Sequence, residues 1–213
     1  MHFSWHKLTM LAAVVWLLPA SLGRAQGTIR YYQFDPPIHY AGFPGYDFRQ
    51  IDMDLDGTPD FAISAGAAEV NLVIFNNNRL ASFPPLPGES GTDVAPFQAG
   101  TQIGSSLDPA MVWETESDYS GGSSLSTCYD VGCIGLWIGV NAYMGVELDI
   151  GGSTHYGWIH IFNGGLGSVG EIYDWAYETR ANTPIFAGAV PEPSCFSLCV
   201  LGILLMFTRR SKN

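Results

Sequence analysis

The sequence predicts an all-β protein whose strands pack as an antiparallel β-sandwich or a jelly roll. Three observations indicate this class. No stretch between residues 26 and 190 repeats its apolar residues at a helical spacing. About ten short segments rich in Val, Ile, Tyr and Trp follow one another instead. The links between them are rich in Gly, Pro, Asn and Ser, which are turn-forming residues.

The predicted strands run from residue 28 to residue 187. Pro36 and Pro37 are expected to end the first strand, because proline donates no backbone hydrogen bond. Segments 84–106 and 117–129 are expected to be loops, since small and polar residues dominate them. The predicted strands cover residues 28–34, 48–53, 60–65, 70–75, 80–83, 111–115, 133–140, 143–150, 155–162, 171–178 and 185–187.

The clearest predicted hairpin covers residues 144–162, with its turn at the Gly-Gly-Ser-Thr segment 151–154. Val146 and Leu148 alternate with Glu147 and Asp149. Because successive side chains of a strand point to opposite faces, this pattern predicts one buried face and one acidic outer face.

The first 25 residues have the pattern of a secretory signal peptide that forms a helix. His6 and Lys7 precede an apolar run at residues 8–18, and small residues flank Arg24. We expect cleavage after Ala25, and a buried first helix is the alternative. The predicted organisation is therefore a signal peptide (1–25), an extracellular β-domain (26–188) and a C-terminal segment (189–213).

The predicted mature region is strongly acidic. Residues 26–190 contain four arginines, no lysine and nineteen acidic residues, which is a net charge of −15. Such a surface repels phosphate backbones, so nucleic acid is not an expected partner. The Gly-rich segment 165–170 matches G-x-G-x-x-G, but another predicted strand follows it instead of a helix. We therefore expect a glycine hairpin loop there and no nucleotide.

Two cysteines of the β-domain, Cys128 and Cys133, are five positions apart. An exported chain favours a disulfide between them, because the compartments outside the cytoplasm are oxidising. Two reduced thiols at a strand end are the alternative. Cys195 and Cys199 belong to the C-terminal segment.

The best candidate site is an acidic loop between two predicted strands. Asp52, Asp54 and Asp56 occupy positions 1, 3 and 5 of a calcium-loop pattern, and Gly57 follows at position 6. The carbonyl of Thr58 and the carboxylate of Asp60 complete the predicted ligand set. Position 12 is occupied by Ile63, so a complete EF-hand is not expected. The pattern is similar to short acidic loops between strands of extracellular β-proteins, and it predicts a structural Ca²⁺; a metal-free Asp-Gly turn is the alternative.

Two further groups of residues suggest other functions. Glu114, Glu116 and Asp118 alternate and offer a second cation site or the carboxylate pair of a glycoside hydrolase; an exposed edge is the simpler interpretation. A row of aromatic side chains offers stacking surfaces for a carbohydrate-binding module, although in a sandwich most of them belong to the core. These aromatics are Tyr31, Tyr32, Trp113, Trp137, Tyr156, Trp158, Tyr173, Trp175 and Tyr177.

The C-terminal segment has three parts in a fixed order. Pro191, Glu192 and Pro193 form a stiff triplet, residues 195–207 form an apolar run, and Arg209 and Arg210 form a basic end. An apolar run of 13 residues is about 20 Å long as a helix, which is short of a hydrocarbon core of about 30 Å. A short transmembrane helix that serves as a processed sorting signal therefore fits better than a permanent anchor.

This segment resembles the PEP-CTERM sorting signal of exported bacterial proteins. The hairpin and closing segments 143–152, 154–159, 174–178 and 184–188 are also similar to the body of that group. The resemblance implies export, membrane retention through the C-terminal helix, and processing at or near the triplet by an exosortase. It also implies a protein of the cell surface or extracellular matrix that is linked with exopolysaccharide. The sequence contains neither a G-x-S-x-G nor an H-E-x-x-H motif, so we expect a non-enzymatic protein.

Overall fold

The structure is a computed structural model that describes residues 29–85, 91–115, 123–129, 132–164 and 169–191. The predicted signal peptide, Glu116, Asp118 and residues 192–213 lie outside these ranges. All regular structure in the described residues is β, and no helix is present that is long and apolar enough to cross a membrane. The all-β prediction is confirmed.

Fifteen strands are present in the described residues. They are β1 (Ile29–Ala41), β2 (Asp47–Ile51), β3 (Phe61–Ala65), β4 (Glu69–Ile74), β5 (Arg79–Phe83), β6 (Asp93–Val94), β7 (Pro96–Phe97), β8 (Gln102–Ile103), β9 (Val112–Glu114), β10 (Ser123–Tyr129), β11 (Gly132–Ile134), β12 (Val140–Ile150), β13 (Ser153–Asn163), β14 (Val169–Glu178) and β15 (Ile185–Phe186).

Thirteen of these strands form one sheet with the main order β1-β14-β13-β12-β5-β6-β10-β4-β3-β2. Strands β11, β7 and β9 pair with β10, β12 and β5, and β15 pairs with β8 in a separate small sheet. The pairings are antiparallel except the short one between β10 and β6. Since β1 and β2 stand at the two ends of this order and contact each other, the sheet folds back on itself.

The predicted hairpin forms the centre of the sheet as β12 and β13, which pair from Val140 with Asn163 to Ile150 with Ser153. Gly151 and Gly152 take positive φ angles of 61° and 79° in its turn, a conformation that glycine adopts without strain.

Two hydrophobic clusters cover the two faces of this hairpin. Ile159 and Ile161 of β13 belong to the larger cluster, whereas Tyr156 and Trp158 belong to the smaller one. This alternation follows from the two-residue period of a strand. Each fully buried side chain of this size contributes about 1.5–3 kcal/mol.

The prediction of an acidic outer face was wrong for Glu147, which is only 8% exposed. The segment predicted to be a loop at 84–106 instead contributes β6, β7 and β8, and its Phe97 and Ile103 pack into the smaller cluster over this face. Glu147 is buried under that cover and forms an ion pair with Arg79 at 3.1 Å. Burial raises the pKa of Glu147, and the charge of Arg79 opposes that rise.

Two other loop predictions were also wrong. Strand β1 continues through Pro36 and Pro37, because its register against β14 shifts between Gln33 and Ile38 and no ladder donor is needed there. The polar segment 117–129 contains β10, whose Leu125 and Ser126 are completely buried.

Cys128 and Cys133 lie directly opposite each other in the β10–β11 hairpin, and the structure joins them in a disulfide with sulfurs 2.06 Å apart. The closed loop is small, so chain-entropy arguments give a stabilisation of only about 2 kcal/mol.

Candidate cation site

The acidic loop connects β2 to β3 at one end of the sheet. The amide of Asp60 donates to the carbonyl of Ile51 at 2.9 Å and closes the hairpin, so residues 52–59 form the loop itself. Two residues take positive φ angles, Leu55 at 63° and Gly57 at 93°. The loop therefore turns sharply at the position where the sequence places its glycine.

The carboxylates accept hydrogen bonds from the loop's own backbone. Asp52 Oδ1 accepts from the amide of Leu55 at 2.7 Å, and Asp52 Oδ2 accepts from the amide of Gly57 at 2.9 Å. Asp54 Oδ1 accepts from the amide of Asp56 at 3.1 Å, and Asp56 Oδ1 accepts from the amide of Thr58 at 2.7 Å. These bonds hold the acidic side chains over the loop instead of letting them extend into solvent.

Three of the predicted ligands converge closely. Asp52, Asp54 and Asp60 each offer a carboxylate oxygen, and the three oxygens lie within 4.8 Å of one another. Asp56 and Thr58 are not in this closest set, but both line an adjacent cavity of about 350 Å³ together with Asp54 and Asp60. The arrangement offers several hard oxygen ligands to one centre.

Asp60 is the rigid member of the site. It is 8% exposed, its Oδ2 accepts from the amide of Met53 at 2.7 Å, and its Oδ1 accepts from Asn78 Nδ2 at 2.9 Å. Asn78 is 1% exposed, and its Oδ1 accepts from the amide of Asp149 at 2.8 Å. Asn78 thus links the acidic loop to the β12–β13 turn.

Sequence reasoning missed this support. Asn76 and Asn77 line the cavity with Asp149, and Asn77 Nδ2 donates to Asp149 Oδ2 at 3.1 Å. The run of three asparagines at 76–78 indicated only a turn between β4 and β5. Its proximity to Asp60 and Asp149 depends on the sheet order, which no local pattern reveals.

The electrostatics of the site favour either protonation or a cation. Burial raises the pKa of Asp60, against the hydrogen bonds from Met53 and Asn78, which favour its charged form. Burial also raises the pKa of Asp54, and the charges of Asp56 and Asp52 add to that rise. A bound divalent ion would remove this cost, because it stabilises the ionised carboxylates.

The other candidate groups are arranged differently. The carboxylate of Glu114 accepts hydrogen bonds from the hydroxyls of Thr92 and Ser123, the latter at 2.5 Å. Trp137, Trp158 and Trp175 are at most 1% exposed, so none of these three offers a face for stacking. No protein-family model, curated protein or solved structure matches this chain.

Proposed function

We propose that this protein is an exported, non-enzymatic component of the cell surface or extracellular matrix, stiffened by Ca²⁺ at the acidic loop. The observation that carries the calcium part of the proposal is the convergence of Asp52, Asp54 and Asp60 within 4.8 Å on a short β-hairpin. A sandwich or jelly-roll arrangement of the sheet fits this role. It is supported by the contact between β1 and β2 and by the burial of both faces of β13.

Calcium suits the donor set better than magnesium. Ca²⁺ accepts six to eight oxygen ligands in flexible geometry, whereas Mg²⁺ demands a near-ideal octahedron and keeps several waters. The proposed ligands are the carboxylates of Asp52, Asp54, Asp56 and Asp60 and the carbonyl of Thr58. Ile63, at the twelfth position, is completely buried in β3 and carries no oxygen ligand, so the carboxylate that completes an EF-hand is lacking.

Isothermal titration of the full chain with Ca²⁺ tests the site. We expect saturable heat from the wild type and none from Asp54→Ala/Asp56→Ala. The matched control is Glu69→Ala/Asp108→Ala, which removes two charges elsewhere and is expected to bind as the wild type does. Identical heats from the wild type and from Asp54→Ala/Asp56→Ala would contradict a calcium site at this loop.

The proposed location follows from the chain ends. An apolar segment near the N-terminus supports export, and the order of Pro191, Glu192 and Pro193, an apolar run, and Arg209 with Arg210 supports a sorting signal. In this proposal the C-terminal helix holds the protein in the membrane until an exosortase recognises the triplet and processes the tail. The protein then takes its place at the cell surface or in the matrix.

A glycoside hydrolase is the enzymatic alternative to this proposal. Its proposed catalysts are Glu114 and Glu116, and the hydroxyl partners of Glu114 do not favour it, because a general acid must reach a substrate. A carbohydrate-binding module is the second alternative, and one part of the surface favours it.

A further inference from the structure

The face of the sheet that carries the smaller hydrophobic cluster is covered only in part. Strand β7 lies against β12 where Phe97 pairs with Tyr143, and Asn141 lies two residues beyond that pairing. At this end a cavity of about 390 Å³ opens across β12, β13, β14 and β1. Most of its lining surface is apolar, but polar side chains stand along it. We call it the polar groove after these side chains and define it by five of its lining residues, Asn141, Phe162, Glu171, Tyr173 and His39.

Strand register explains how these side chains meet. Asn141 pairs with Phe162, Phe162 pairs with Glu171, and Glu171 pairs with His39. Four residues from four neighbouring strands therefore form one transverse row, which is about 14 Å long at the usual strand spacing. A row of directly opposed side chains on a rigid sheet is a preorganised surface.

Two contacts fix the polar members of the groove. The Glu171 carboxylate lies 3.1 Å from His39 Nε2, and it is close enough to Tyr173 to influence the pKa of that phenol. Burial and this carboxylate raise the pKa of Tyr173 to about 12, so its ring remains a neutral phenol. Asn141 Oδ1 lies 2.6 Å from His160 Nε2, which leaves the Asn141 amide nitrogen without a partner among the described residues.

A second layer supports the first. His160 Nδ1 lies 3.0 Å from Asp174 Oδ1, and Tyr31 donates to Asp174 Oδ2 at 2.9 Å. The His160 ring is packed between Tyr143 and Tyr173, with centroid distances of 4.5 Å and 4.9 Å. The orientation of Asn141 and of the Tyr173 ring is therefore set before any ligand arrives.

We propose that the polar groove binds a neutral pyranose unit of a polysaccharide. A sugar ring presents apolar C–H faces and a rim of hydroxyls. Tyr173 and Phe162 supply apolar aromatic surface, while the amide of Asn141 and the carboxylate of Glu171 supply a donor and acceptors at its edge. The volume lies near the lower end of the range of about 300–1,000 Å³ for small-ligand sites.

Charge favours a neutral ligand over an ionic one. Anionic ligands are disfavoured by Glu171 and by the net charge of −15 over residues 26–190. A cationic ligand would compete with His39 for Glu171 and with His160 and Tyr31 for Asp174, whereas a hydroxyl group needs only one remaining lone pair of the Glu171 carboxylate. Hydroxyl groups both donate and accept hydrogen bonds, so they match the amide nitrogen of Asn141 and the carboxylate of Glu171.

The test is a glycan array of neutral and anionic oligosaccharides probed with the protein recovered from its exporting host, followed by calorimetric titration of the best neutral binder. We expect at least one neutral glycan to bind and Asn141→Ala and Tyr173→Ala each to weaken that binding about tenfold or more. Tyr173→Phe, which keeps the aromatic ring, is expected to stay within about threefold of the wild type. Tyr46→Ala, which removes an exposed aromatic side chain from the loop between β1 and β2, is the matched control.

Three results would overturn the proposal: no binding to any neutral glycan, binding to anionic glycans alone, or neutral binding that survives both alanine variants. Amide shift mapping on the wild-type protein guards against misfolded variants, since the bound glycan must shift Asn141, Phe162 and Glu171. Sugar binding by the polar groove rests on the proposed function in one respect, since a matrix location would supply the polysaccharide. Export and tail processing are tested by the mass of the mature protein, whereas sugar binding is tested by the array and the titration. Either proposal can therefore fail without the other.

Discussion

Calcium is expected to raise the melting temperature of the metal-free protein by about 5–10 °C when the free ion is about 100-fold above its Kd. At that concentration, a ligand that binds only the folded state adds about 2.7 kcal/mol to the free energy of unfolding. In a domain of this size each kcal/mol shifts the melting temperature by about 2–4 °C. The ion would bridge Asp52, Asp54 and Asp60. Because Asn78 connects Asp60 to Asp149, the bound ion would also stabilise the β12–β13 turn. Differential scanning calorimetry in chelator and in calcium measures the shift.

The control separates a bound ion from general charge screening. Asp54→Ala/Asp56→Ala is expected to lose the calcium-dependent shift and to melt at a similar temperature in both buffers. Its metal-free form is expected to stay close to the metal-free wild type in stability, because the relief of like-charge repulsion is offset by the loss of the hydrogen bonds that Asp54 and Asp56 accept from the loop backbone. A calcium shift as large in this variant as in the wild type would contradict the proposed ligands.

Gly170→Ala is expected to destabilise the fold by about 3 kcal/mol. A Cβ at Gly170 would lie 2.2 Å from the Tyr40 hydroxyl and 2.3 Å from the carbonyl of Phe162. Tyr40 is completely buried and its hydroxyl donates to that same carbonyl at 3.2 Å, so neither atom has space to withdraw. Urea unfolding measures the loss.

Gly45→Ala is the matched control for this substitution. A Cβ at Gly45 meets nothing within 4 Å, and its φ is not in the positive region, so its unfolding free energy is expected to change by about 0.5 kcal/mol or less. Equal losses from the two variants would show that the close approach of Tyr40 to β14 is not what requires glycine.

The parts of the fold with a regular local pattern were predictable. The alternation of Val146 and Leu148 with charged residues, followed by Gly151 and Gly152, predicted the β12–β13 hairpin, and the structure contains it. The acidic loop was also predictable, because the spacing of Asp52 and Asp54 and the glycine at position 57 are local features, although the support of Asp60 by Asn78 is not.

Features that depend on distant partners were not predictable. Glu147 looks like a surface residue until a Pro- and Gly-rich segment packs over it. Asn78 looks like a turn residue until β5 pairs with β12 and brings it to Asp149. The polar groove depends on the register of four strands. Local patterns predict the hairpins that join β12 to β13 and β13 to β14, but no local pattern predicts that β1 pairs with β14.

Intact-mass spectrometry of the protein recovered from its native host tests the central claim, that this is an exported protein with a processed sorting tail. We predict an N-terminus at or near Gln26 and a C-terminus at or near the triplet Pro191, Glu192 and Pro193. An exported species that retains the tail through Asn213 would instead indicate a single-pass membrane anchor. An unprocessed chain from Met1 to Asn213 found in the cytoplasm would contradict the account.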